Sequence, residues 1–70
     1  LESEDLAQLL DKLPREQRDT FYMKIILEFT FEEIGSSMGC STNTAKSRYR
    51  YALQALRSLV KRKRMIDLAV

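Results

Sequence analysis

Apolar residues along this 70-residue chain recur mainly at three- and four-residue intervals, the spacing of one face of an α-helix. Leu6, Leu9, Leu10 and Leu13 set such a face after Ser3, a candidate N-cap, and predict a short helix over about residues 4–12. Pro14 then resets the chain. Proline suits the first position of a helix, where its missing N–H would be unpaired anyway, so a second helix is predicted over about residues 14–27, with Phe21, Ile25 and neighbouring apolar residues toward the core. Thr30 and Glu33 have the spacing in which a cap and the third helical residue satisfy each other's backbone N–H groups. The helix they open, about residues 31–38, carries Ile34 and Met38 on one face and stops at Gly39, where a helix end favours a residue free to adopt positive φ. After Cys40, Ser41 is a further N-cap candidate, and a long helix is predicted over about residues 42–62.

The faces of that last helix separate on a wheel of about 100° per residue. With Ala45 at zero, Tyr49, Ala52, Leu53, Leu56, Leu59 and Val60 fall between about −40° and +80°, an apolar inner stripe. Asn43, Lys46, Ser47, Arg50, Gln54, Arg57, Lys61 and Arg64 fall between about 100° and 200°, and every charged member of this outer stripe is basic. Only 2 Gly and 1 Pro interrupt the chain, with no internal repeat, so the expected fold is an all-α four-helix domain over residues 1–70. Residues 65–70, MIDLAV, are apolar again and are compatible with an extended helix, a segment packed back, or a frayed end.

Composition narrows the chemistry. With no His and 1 Cys, a His-based triad and a Cys/His metal cluster are both excluded, and the lone thiol has no internal partner for a disulfide. A reducing cytoplasm is the expected setting, with no cofactor or metal. No apolar run is long enough to span a bilayer and no signal peptide stands out, so no membrane partner is expected. Chains this short bury only roughly 60% of their unfolded surface, which disfavours a large substrate cavity and points to binding through an outer surface. The net charge of +2 hides a polarity: residues 1–40 carry 4 basic and 9 acidic side chains, residues 41–70 carry 8 and 1. The chain begins with Leu rather than Met, which suggests a piece of something longer.

A short helix, a turn with Gly39, and a longer helix that is apolar inside and basic outside make a C-terminal helix-turn-helix. In that motif the first helix braces the second, whose N-terminal turns enter the major groove, wide enough for one α-helix. Free N–H groups at a helix start attract phosphate, so Ser41, Thr42 and Thr44 are candidates to grip the backbone. Lys and Arg add affinity through counterion release.

Five marks then suggest a family: LP-x-x-x-R (Leu13, Pro14, Arg18), TFEEI (Thr30 to Ile34), GCS (Gly39 to Ser41), T-x-K-S-R (Thr44 to Arg48), and the following Ala52-Leu53. Over about residues 6–60 the chain resembles the fourth conserved region of bacterial RNA polymerase sigma factors, especially the extracytoplasmic-function class. The resemblance implies the sigma region 4 architecture, related to winged helices but without a wing, as the C-terminal part of a longer sigma factor in the bacterial cytoplasm. It implies recognition of the promoter minus-35 element within polymerase holoenzyme, with the polymerase β flap and, in inhibited complexes, an anti-sigma factor as protein partners. By position it assigns Lys46, Ser47, Arg50 and Tyr51 to the groove. Thr44 and Arg48, with Phe31 and Glu32 at the third helix start, fall near the backbone or groove edge; Thr42 and Asn43 complete the DNA-binding set. The wheel independently turns Lys46, Ser47 and Arg50 outward, whereas Tyr51 lies at about −120°, off the stripe. An Arg50 guanidinium matches the two acceptors of guanine and is the best candidate for reading a base.

Three positions and one residue order depart from the family pattern. Gly35 replaces a common Ala, either being small enough for close packing; Glu28 stands where Gly is common; Ala45 is smaller than the usual Val, which predicts looser packing at the start of the last helix. The order Arg50-Tyr51 reverses a frequent aromatic-then-Arg order. Plainer readings stand beside the functional ones. Cys40 reads as a small turn or core residue, Tyr49 as core rather than a stacking platform, and Lys61 to Arg64 as a solvated helix end favoured by the helix dipole. Phe21, Tyr22, Ile25 and Ile26 read as mainly core, yet exceed what a thin core hides, so part of them is also a candidate partner surface. Two other functions compete: the helix-turn-helix effector domain of a free-standing transcriptional regulator, and an interaction bundle whose basic face meets an acidic partner or membrane surface. The regulator family usually has a His after the T-x-K segment, absent here, and the bundle leaves the placement of Asn43, Lys46, Ser47 and Arg50 unexplained.

Overall fold

A computed structural model describes residues 3–69 and places all of them in helices or the turns between them. α1 spans Ser3–Asp11, α2 Arg15–Ile25, α3 Phe31–Met38 and α4 Thr42–Ala69. The molecule measures 45 × 19 × 15 Å, and α4, with 28 residues at about 1.5 Å each, runs its full length. The other three helices all pack on α4, α2 most extensively.

The expected inner stripe forms the core. Leu9 and Leu13 meet Phe21, Ala52 and Leu56, with Leu10, Tyr49, Leu53, Leu59 and Val60 half-buried around them. Each fully buried Leu or Phe contributes about 1.5–3 kcal/mol, so this cluster is the main source of stability. At the helix-turn-helix end Thr20, Ile34 and Ala45 are completely enclosed. The Thr20 hydroxyl donates to the Glu16 carbonyl at 2.7 Å and lies 3.3 Å from the Met38 sulfur, so the buried polar group is satisfied. Ala45 is 0% exposed and closes the inner side of the start of α4.

Several local expectations are corrected. α1 begins at Ser3 itself, whose side chain, the expected cap, lies outside the described residues. Pro14 is the N-cap of α2 rather than its first helical residue, with extended backbone (ψ 146°) and a carbonyl that accepts from the Arg18 N–H at 3.0 Å. α2 closes at Ile25, two residues early. There the Leu27 N–H reaches back to the Tyr22 carbonyl and the Phe29 N–H to that of Met23, bonds that wind the chain out of the helix. Ile25 is 45% exposed, not core, and shares the surface with Tyr22, Ile26 and Leu27; of the apolar residues predicted here, Phe21 alone faces fully inward. α4 continues past Arg62 to Ala69. Lys61 to Arg64 therefore lie inside the helix, where the terminal dipole does little, and Lys63 instead pairs with Asp5 of α1.

Both turns around α3 contain a residue in the left-handed region: Glu28 at φ +58° and Gly39 at φ +68°. Thr30 caps α3 as its spacing predicts, its hydroxyl accepting from the Glu33 N–H at 3.1 Å while Glu33 Oε1 accepts from the Thr30 N–H at 2.9 Å. The Thr30 N–H first, and the Thr30 side chain second, favour the ionised form and hold the Glu33 carboxyl below its ordinary pKa. Gly35 is more constrained than expected. A Cβ there would sit 2.7 Å from the Cys40 carbonyl oxygen, so Ala does not fit without a shift of the turn.

Candidate nucleic-acid interface

The start of α4 is fixed by its own cap. Ser41 Oγ accepts from the Thr44 N–H at 3.0 Å and donates to Thr44 Oγ1 at 2.9 Å, and the Ser41 carbonyl accepts from the Ala45 N–H. The capping hydroxyl thus secures the helix start, and the N–H groups of Thr42 and Asn43 remain for water or an anion. From this start Ala45 and Ala52 point wholly inward, and the 3.6-residue repeat turns Asn43, Lys46 and Arg50 out to solvent. Ser47 is half-buried between them, and Arg50 Nη2 lies 3.5 Å from its oxygen. Gln54, Arg57, Lys61 and Arg64 continue the exposed stripe along α4. None of its cations has an ion-pair partner among the described residues.

The remaining expected site residues fall on the flanks. Arg48 and Thr44 are half-buried, and Glu32 is exposed on the first turn of α3. Tyr51 is 52% exposed, and the Arg50 guanidinium lies 5.9 Å from its ring centroid. Phe31 is turned inward: its ring meets Tyr49 edge-on at 5.6 Å and lies 4.5 Å beneath the Lys24 ammonium. Tyr49 also stacks on Phe21 at 6.2 Å, so it is a structural aromatic joining α2, α3 and α4. Lys24 did not stand out in the sequence. Its four-residue offset from Glu28 says nothing of the chain reversal that brings it over Phe31.

Two apolar surfaces lie apart from the stripe. One is the exposed end of α2 and the residues after it, Tyr22, Ile25, Ile26 and Leu27. The other is an open groove of about 470 Å³ between α2 and α4, floored by Phe21, Leu53, Leu56 and Val60 and edged by Arg57 and Lys61. Among the described residues no group of three or more acidic, Cys or His side chains could hold a metal ion, and no helix is long and apolar enough to cross a membrane. Cys40 is a half-buried free thiol whose N–H donates to the Gly35 carbonyl, the turn role its small size suggests.

The comparisons with known proteins bear on this geometry. The family model described as Sigma-70, region 4 matches residues 3–56, which include all of α1 to α3 and the first half of α4. An ECF RNA polymerase sigma factor, EcfG of Rhodopseudomonas palustris (strain TIE-1), is 35% identical over 60 residues, 86% of this chain and 33% of that protein. The chain thus spans about a third of the length of this curated relative. Four helices without a strand among the described residues, a helix-turn-helix closed by Gly39 and Ser41, and the matched family pattern agree: the chain belongs to the sigma-70 region 4 family, the DNA-binding region of RNA polymerase sigma factors.

Proposed function

We propose that this chain is the C-terminal domain of a bacterial extracytoplasmic-function sigma factor, and that it directs transcription initiation by reading the promoter minus-35 element with the first turns of α4. The capped start of α4, with Lys46, Ser47 and Arg50 on the side opposite Ala45 and Ala52, is the observation that carries this reading. Arg50 reads a base through its planar fork, and Lys46 and Ser47 complete the groove-facing set, with Tyr51 at its edge beside Arg50. The Thr42 and Asn43 N–H groups, Thr44 and Arg48 contact phosphate, with Glu32 and the Phe31 backbone at the groove edge. Arg57, Lys61 and Arg64 add affinity without sequence information. No metal, cofactor or catalytic step enters, and the domain works in the bacterial cytoplasm.

The apolar surfaces fall to protein partners. The groove between α2 and α4 and the exposed residues Tyr22, Ile25, Ile26 and Leu27 accept the β flap of core polymerase, and an anti-sigma factor competes for the same surface. The test is transcription from promoter DNA by the full-length protein with and without core polymerase. Core-dependent initiation that Ile25→Asp abolishes, with DNA binding by the domain unchanged, is the expected result. Operator binding by a dimer, with no need for core, would instead make the chain the effector domain of a free-standing regulator.

A further inference from the structure

Arg50 has a neighbour on each of two sides. Its Nη2 lies 3.5 Å from Ser47 Oγ, one turn earlier, and its guanidinium carbon lies 5.9 Å from the Tyr51 ring centroid. Ser47 is half-buried, whereas Tyr51 is a large exposed aromatic whose one polar or aromatic partner among the described residues is Arg50. On the wheel Arg50 sits at about 140° and Tyr51 at about 240°, so the ring stands beside the outer stripe rather than within it. The core has no use for this ring, and the reading stripe passes it by.

We infer that Tyr51 is a positioning residue for Arg50: its ring steers the guanidinium toward a base edge rather than touching a base itself. The inference rests on the reading that α4 recognises DNA with Arg50. A guanidinium has five N–H donors in its plane and a face that packs on aromatic rings. A cation–π contact with Tyr51 consumes no N–H donor and Ser47 takes one of the five, so the donors needed for the two acceptors of guanine stay available. Immobilising a long, free side chain on binding costs conformational entropy, and a side chain already confined loses less. The reversed Arg50-Tyr51 order thereby acquires a role: the aromatic follows the Arg it orients.

The test uses this chain and duplexes it enriches from a pool with a randomised core of about 12 base pairs, just over one helical turn. Competition titrations at fixed salt measure preference at each base pair. An exposed cation–π contact corresponds to about a two- to fivefold change in equilibrium. Y51A should therefore reduce discrimination by that factor at the base pair that R50A relaxes, and leave other positions and the thermal midpoint unchanged. Y51F, which keeps the ring, should behave as wild type, and Y51A should have no further effect on an R50A background. The inference is overturned if Y51A is silent, if Y51F loses as much as Y51A, or if Y51A still weakens binding without Arg50, since Tyr51 would then touch DNA directly. Should the chain show no base preference, or R50A relax none, the reading of α4 fails and this role falls with it. If R50A relaxes a base pair and Y51A does not, only the role of Tyr51 falls.

Discussion

The two turns that bracket α3 solve one problem with different residues. Each must reverse the chain through a left-handed residue, and each is followed by a hydroxyl cap, Thr30 in one and Ser41 in the other. Between α3 and α4 the left-handed position is Gly39, free to adopt it, and Gly35 lets the Cys40 carbonyl approach. Between α2 and α3 the same conformation falls to Glu28, whose Cβ makes it costly by about 1–2 kcal/mol. The turn that aims α4 is built without strain and leaves no room for a Cβ at Gly35. The turn that ends α2 beside the exposed Ile25, Ile26 and Leu27 tolerates strain. Precision is concentrated where a misplaced helix axis would displace Lys46 and Arg50 together.

Substitutions in the two turns should therefore have opposite signs. Gly35→Ala should destabilise by about 1–2 kcal/mol in chemical denaturation, because overpacking outweighs the roughly 1 kcal/mol of helix propensity that Ala adds. A gain of that 1 kcal/mol would show that the close approach of Cys40 imposes nothing. Gly39→Ala should cost about 1 kcal/mol through its positive φ alone, with no neighbour within 4 Å to add a clash. Glu28→Gly should do the reverse and raise stability by up to about 1 kcal/mol, the relief being partly offset by the greater freedom of Gly in the unfolded chain. Destabilisation by Glu28→Gly would remove the contrast between the turns.

The smallest effect concerns the cap of α3. Because Thr30 holds the Glu33 carboxyl below its ordinary pKa of 4.5, the cap is fully present above that pH and weakens as pH falls through the lower folded value. Glu33→Gln keeps a group able to accept from the Thr30 N–H but removes the titration. Wild type and E33Q should then differ little near neutrality, and the wild type should lose more stability below about pH 4.5. Parallel curves across that range would mean that the carboxylate contributes nothing through its charge.

Much of this fold is legible in the sequence because it rests on local signals. Thr30 with Glu33, Gly39 and Ser41 declare their helix ends by chemistry within four residues, and the stripe from Ala45 to Val60 is fixed by helical periodicity. What escaped depends on positions distant in sequence. Ile25 has the right spacing for the core, but α2 closes at that residue and offers no neighbour to cover it. The extension of α4 to Ala69 is supported by Lys63 reaching Asp5, a pair 58 residues apart. Gly35 and Ala are equivalent by size until the Cys40 carbonyl is seen 2.7 Å from the missing Cβ. At the candidate interface, periodicity turned Lys46 and Arg50 outward correctly, whereas the clustering of Phe21, Tyr49, Phe31 and Lys24 required three helices in place.

The division of α4 into a reading end and a gripping end is tested most directly by comparing R50A with R57A in quantitative titrations against a matched duplex and single-base variants, repeated at two salt concentrations. R50A should cost about 1–3 kcal/mol on the preferred sequence and erase preference at one base pair, while R57A should weaken binding to every sequence alike and lower the salt slope by about 1. Equal behaviour of the two variants would contradict the assignment of sequence reading to the first turns of α4.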